Sequence, residues 1–229
     1  MYSSFSKSLK IALGFCLILA LLLIGASYWY SRETVFLWLN RDLGIIADMT
    51  FDTFSYLAEG WQWIPYFIIL FGRFKKDAVF ILLNFLISTL LTQIPKNLIW
   101  SRVGRPMASG IPHDQIHTVK GIEMHLWSSF PSGHTATAFT IFLVTVYFFP
   151  KKSVLFIGAI YAIACGYARV YLGQHFPLDI AGGIIAALLG VALSIQIRKK
   201  LFKKKGFKGL LKESKQKCLH GRNQLCDVL

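Results

Sequence analysis

Six blocks of apolar residues, separated by short charged stretches, constrain this chain more than anything else in it. They run over residues 11–30, 61–71, 78–94, 136–149, 154–168 and 180–197. A helix that crosses a bilayer needs about 20 mostly apolar residues, within a range of roughly 17–25. The blocks at 11–30, 78–94 and 180–197 reach that length alone, and the other three reach it with flanking small or aromatic residues. Hydrophobic residues make up 55% of the 229, above the roughly 45–50% of soluble domains. The expectation is an all-α polytopic membrane protein: one six-helix bundle over residues 1–197, whose motif-bearing part is 95–197, then a basic tail over 198–229.

The first block follows Lys7 and Lys10, as a signal peptide would. Its apolar run is about 20 residues, however, against roughly 7–15 for a signal, and no A-x-A site follows it. It reads as an uncleaved helix ending in an aromatic belt, Tyr28-Trp29-Tyr30.

The formal charge of +14 is concentrated at the end: from Arg198 onward, eleven Lys and Arg face two acids. Behind an apolar helix, such a run reads as a juxtamembrane segment drawn to anionic lipid, and a nucleic-acid partner is not expected. Orientation follows from the basic residues of short loops. Lys7 and Lys10, the Arg73–Lys76 group, Lys151 and Lys152, and the Arg198 cluster are separated by even numbers of spans. All four fit the cytoplasmic side, so both termini are expected there. Lys96, Arg102, Arg105, Lys120 and Arg169 fall on the opposite side.

Four cysteines give no disulfide framework. Cys16 and Cys165 sit in apolar helices, where they pack as small hydrophobes. Cys218 and Cys226 flank His220 at a spacing that matches no zinc pattern. His113, His117 and His125 lie irregularly on the long loop after the third block and read as surface histidines. That loop, broken by Gly104, Pro106, Gly110 and Pro112, is long enough to cover or shape a site. Residues 31–60 read equally well as an interfacial amphipathic helix or as a plain connector.

The chemistry lies in three short strings on the non-cytoplasmic side. His175 and Asp179 are four apart, on one face of a helix that Pro177 should open. A carboxylate on one imidazole nitrogen fixes the tautomer and leaves the other free to attack. Arg169 closes an apolar helix, where an unpaired guanidinium is costly and where its fork matches phosphate oxygens. Pro131-Ser132-Gly133-His134 opens another helix: a capping serine, then a glycine that lets an anion approach free backbone N–H groups, then an imidazole able to protonate a leaving oxygen. Each string alone has a mundane reading as a structural pair, a snorkelling arginine or an ordinary cap. Together they hold a phosphate beside two imidazoles.

With Arg105-Pro106, these strings resemble the type 2 phosphatidic acid phosphatase superfamily, whose pattern is Lys-x6-Arg-Pro, Pro-Ser-Gly-His and Ser-Arg-x5-His-x3-Asp. The second motif is intact, and the third has Ala168 in place of its leading serine. In the first, the nearest upstream lysine, Lys96, is separated from Arg105 by eight residues instead of six. On a continuous helix seven residues return to one face and nine turn to the opposite one. Lys96 can therefore serve only if Gly104 or its neighbours break the helix, and Arg102 is the substitute.

The resemblance implies a bacterial integral-membrane lipid phosphatase, in the inner membrane with its site facing the periplasm or exterior. It makes His175 the nucleophile, oriented by Asp179, and His134 the general acid. Arg105, Arg169, Ser132, Gly133 and Lys96 would bind phosphate, with no metal and no cofactor. The partners implied are the bilayer and a lipid phosphate or diphosphate: phosphatidate, phosphatidylglycerol phosphate, undecaprenyl diphosphate or a lipid A type. A lipid phosphotransferase using the same site, and a non-catalytic anionic-lipid binder or transporter, remain open at this level. So does the oligomeric state.

Overall fold

The computed structural model describes residues 6–220, with side chains as far as Leu201. The Cys218–His220–Cys226 question and most of the basic tail lie outside the described side chains. Eight helices follow in order: α1 Lys7–Tyr30, α2 Arg32–Leu39, α3 Ile45–Tyr56, α4 Trp63–Arg73, α5 Ala78–Ile94, α6 Gly133–Phe148, α7 Lys152–Tyr171 and α8 Pro177–His220. No strand occurs among the described residues.

Local sequence explains where these helices begin. The Ser6 hydroxyl accepts from the Leu9 N–H at 3.1 Å, so α1 starts four residues ahead of its apolar block. Pro177 opens α8, since its missing N–H is one that a first turn leaves unpaired anyway. α8 is the axis: α1, α5 and α6 pack on it, and α6 also packs on α5 and α7. α6 is accordingly buried on nearly all sides.

The α6–α8 approach is set by two glycines. A Cβ on Gly183 would sit 2.6 Å from the Ser132 carbonyl oxygen, and one on Gly182 would sit 2.4 Å from the Phe130 ring. Only hydrogen at both positions lets the start of α6 seat against α8.

Outward faces are apolar, with Leu17, Ile18, Leu21 and Leu22 exposed on α1 and Phe156 and Ile157 exposed on α7. Such faces belong against hydrocarbon. Four helical stretches are long and apolar enough to cross a membrane: Lys7–Tyr30, Lys75–Ile99, Lys152–Tyr171 and Pro177–Leu201. α6 is a shorter apolar helix of 16 residues, and α4 has 11. At 1.5 Å per residue, α4 spans only about 16 Å, roughly half a hydrocarbon core. All six apolar blocks are helical, but two of the helices are shorter than full spans.

Residues 31–60 form two packed helices instead of a simple connector. Phe36 of α2 is buried edge-on against Phe176 at 5.5 Å, and Phe51 of α3 lies between Tyr167 and Tyr171 of α7. The loop after α5 is likewise built into the body, with Ile111 and Ile116 in the main core. At the other end of the bundle, Arg198 of α8 donates to Asp77 and to the Tyr147 hydroxyl, and its guanidinium lies 5.4 Å from the Phe80 ring centroid.

Candidate active site

The end of α7 is folded back so that Arg169 and His175 lie together. Backbone N–H groups of Gln174 and His175 both donate to the Arg169 carbonyl, at 2.9 and 3.0 Å. Gly173 takes a positive φ of 67° to allow the turn. The carbonyls of Val170 and Tyr171 are capped by the Asn40 side-chain amide at 3.0 and 2.7 Å. Asn40 also accepts from the His117 N–H at 2.7 Å, which ties α2 and the long loop to this corner.

Asp179 is the third residue of α8. Its Oδ2 reaches back to the Phe176 N–H at 2.9 Å, half of a capping box. The same oxygen accepts from the Ser129 hydroxyl at 2.5 Å and lies 3.3 Å from Nδ1 of His175. His175 is 1% exposed. Burial first, then the charges of Arg105, Arg169, Lys96 and His134, hold its imidazole well below the ordinary value of 6.5. The ring is therefore neutral at physiological pH, with Nε2 unprotonated when Nδ1–H faces the carboxylate.

Three cations surround that ring. Arg105, 6% exposed, donates from Nε to the Trp127 carbonyl at 3.0 Å and from Nη1 to the backbone and side-chain oxygens of Gln174 at 3.1 and 3.2 Å. Its Nη2 pair remains for a ligand. Arg169, 7% exposed, donates from Nη1 to the Ser55 hydroxyl, while its buried Nε has no partner among the described residues. A buried guanidinium donor left unpaired is costly, and an anion would satisfy it.

Lys96 reaches the group by a different route from the one expected. The helix does not run on to a break at Gly104. It changes to a π turn at Pro95–Ile99, closed by Trp100 N–H on the Pro95 carbonyl at 2.8 Å. Proline removes one i→i−4 donor there, and the wider turn shifts the register. Lys96 thus lines a cavity with Gly133 and His134, while Arg102 lies exposed.

Ser132 is the N-cap of α6, fully buried, and its oxygen accepts from Thr135 N–H at 3.4 Å and Thr135 Oγ1 at 3.0 Å. Its own proton stays free to be donated. Gly133 and His134 follow in the first turn, where helix N–H groups and dipole favour an anion.

Two cavities meet at His134. One, of about 420 Å³, is lined by Asp52, Ser55, Glu59, Glu123, Arg169 and Gln174 among others. The second, of about 350 Å³, runs down between α5 and α6 past Lys96, Gln93, Thr92, Thr89 and Ser88 to Phe85. An outer chamber rimmed by carboxylates and a lateral, hydroxyl-lined groove thus open onto the same imidazole.

All eight expected site residues converge on this corner. Sequence reasoning missed Ser55, Gln174, Ser129 and Asn40, which supply hydrogen bonds to those eight or to the turn that carries them. Ser129 alone carried a signal, three residues ahead of the capping serine. His117 is also not a plain surface histidine: its Nε2 lies 3.1 Å from Asp48 Oδ1, which accepts from the Tyr171 hydroxyl at 2.6 Å. With Asp42 these form the one trio of possible metal ligands among the described residues, their ligand atoms within 4.8 Å of one another. The trio lines neither cavity.

The sequence matches the model of the PAP2 superfamily over residues 77–203. Among solved structures, LpxE of Aquifex aeolicus is similar at a TM-score of 0.61 and 30% identity, covering 70% of this chain and 92% of that one. A transmembrane PAP2-type phosphatidylglycerolphosphate phosphatase from Bacillus subtilis follows at 0.59 and 26% identity, covering 84% and 96%. An undecaprenyl-diphosphatase of Sulfolobus acidocaldarius is 29% identical over 146 residues, covering 62% of this chain and 66% of that protein.

Proposed function

The chain belongs to the PAP2 superfamily, and from that premise we propose that it removes the terminal phosphate of a membrane lipid phosphate or diphosphate through a phosphohistidine. The observation that carries this reading is His175 itself: a buried, neutral imidazole backed by Asp179 and ringed by Lys96, Arg105, Arg169 and His134. A buried base among cations is set up to meet an anion and bond to it.

The phosphate sits against the Nη2 donors of Arg105, the unpaired Nε of Arg169, Lys96, the Ser132 hydroxyl and the Gly133 N–H. His175 Nε2 attacks phosphorus and the bond from phosphorus to the carrier oxygen breaks. His134, protonated once the phosphate anion is bound beside it, gives that proton to the oxygen, so the carrier leaves as an alcohol or as the shorter lipid phosphate. Asp179 shares the Nδ1 proton of the cationic phosphohistidine. Water then attacks phosphorus, His134 takes one of its protons, the N–P bond breaks, and inorganic phosphate departs. No step calls for a metal or cofactor.

The groove supports a lipid carrier, because it runs from Lys96 and His134 along α5 to Phe85, and α5 also carries the exposed apolar residues Leu82, Leu86 and Leu90. Phosphatidylglycerol phosphate and undecaprenyl diphosphate, named in two of the relatives, both fit that layout, as do phosphatidate and lipid A phosphates. The site faces the periplasm or exterior of a bacterial inner membrane. With six crossings, both termini lie in the cytoplasm. Residues 1–197 act as one phosphatase domain, and 198–229 form its basic cytoplasmic end.

The test is His175→Ala in purified protein, with release from those four lipids measured in detergent. Release falls about a thousandfold or more, as for loss of a nucleophile, while insertion and melting temperature are kept. Near-normal release by the variant overturns the reading.

A further inference from the structure

We infer that Ser129 is a positioning residue for this reaction, acting through Asp179 on His175; the inference rests on the phosphohistidine reading above. Ser129 is 0% exposed, and its hydroxyl donates to Asp179 Oδ2 at 2.5 Å. It has no other side-chain partner among the described residues, and it lines neither cavity at His134. It therefore does not reach phosphate. Whatever it contributes passes through the carboxylate.

The geometry around that carboxylate oxygen makes the contribution specific. Oδ2 has three neighbours: the Ser129 hydroxyl at 2.5 Å, the Phe176 N–H at 2.9 Å and Nδ1 of His175 at 3.3 Å. The bond that matters for chemistry is the longest, so the imidazole does not itself hold the carboxylate in place. A carboxylate torsion is broad and roughly two-fold, and two fixed donors on one oxygen remove that freedom. Once Nε2 bonds to phosphorus the ring becomes a cation, and a carboxylate already aimed at Nδ1–H stabilises it without reorganising.

Ser129 is in turn held by backbone. Its N–H donates to the Val103 carbonyl at 3.1 Å. Two residues earlier the Trp127 carbonyl accepts from Arg105 Nε, and three residues later the Ser132 N–H donates to the Asp179 carbonyl at 3.0 Å. Residues 127–132 thus form one strut that touches a phosphate-binding arginine, the orienting aspartate and the α6 cap. Ser129 is its only side-chain bond to the nucleophile's partner.

A double-mutant cycle separates this role from mere support. Phosphate release is measured on the lipid that the unchanged protein turns over fastest, for Ser129→Ala, Asp179→Ala and the pair. Ser129→Ala lowers kcat by about 10- to 100-fold, the usual cost of losing an orienting partner, with KM within about twofold. In the Asp179→Ala background the same change costs less than about twofold, because the carboxylate it acts through is gone. An equal loss in both backgrounds, a rise in KM at constant kcat, or no loss at all overturns the inference. Should Ser129→Ala fail to insert, Ser129→Cys is cycled in its place, since a thiol donates weakly. If His175→Ala keeps its activity, it is the phosphohistidine reading that falls, independently of how the cycle comes out.

Discussion

Arg169 and Arg198 are buried to the same degree, 7% and 8% exposed, at opposite ends of the bundle, and their surroundings differ in one respect. Arg198 has a carboxylate: it pairs with Asp77, donates to Tyr147 and lies over two aromatic rings. Arg169 donates to a serine hydroxyl and forms no ion pair among the described residues. One arginine closes its own electrostatic account inside the fold. The other lines the cavity at His134 with no carboxylate paired to it. A buried cation lacking its anion marks a ligand position more clearly than burial or charge alone.

The contrast breaks most easily at Arg198. Replacing it with Ala strands Asp77, and loss of one partner of a buried pair costs about 3–5 kcal/mol of stability. The melting temperature in detergent should drop while activity per folded molecule stays near that of the unchanged protein. Arg169→Ala should do the reverse, lowering kcat/KM by about 10²–10³-fold, as for loss of one pre-placed donor, with melting little changed. If Arg169→Ala melts early and Arg198→Ala loses turnover, the roles are exchanged and the comparison fails. Gln174→Leu sharpens the picture on the neighbouring cation: without that amide, Arg105 loses one of its three anchors, and activity should drop about 10-fold, near the cost of a single buried hydrogen bond to a charge.

Acidity gives the smallest effect. Because the His175 ring is held well below 6.5, the acid limb of kcat/KM due to the nucleophile should lie under that value. Stability runs with the same sign. As pH falls below 6.5, the unfolded chain takes up a proton that the native site refuses, so this residue's contribution to stability declines over that window. An acid limb above 6.5 that vanishes in His175→Ala would contradict the placement of the ring.

Much of the site was legible because its residues sit at helix ends, where sequence rules are strict. Pro177 announced the start of α8, Ser132 the start of α6, and the four-residue step from His175 to Asp179 their shared face. Ser55 and Asn40 left no such trace. They come from α3 and from the turn after α2, more than a hundred residues before the arginine and carbonyls they serve, and nothing in 31–60 said which face would turn inward. Gln174 sat beside a marked histidine without being marked, since an amide's role depends on what crosses it in space. Helix existence was plain from apolarity, but the length of α4 was not, because the flanking residues that would have extended it form separate 3-10 turns.

The π turn at Pro95–Ile99 carries a lesson about how such proteins are found. Counting residues between a lysine and an arginine measures contour along the backbone, whereas binding depends on separation through space. Here the helix ends at Ile99 and residues 100–104 run outside it, so the interval between Lys96 and Arg105 is not a helical one. Search patterns that hold the interval rigid will pass over chains of this kind, and a gap allowance placed at a proline near the end of a hydrophobic helix would recover them.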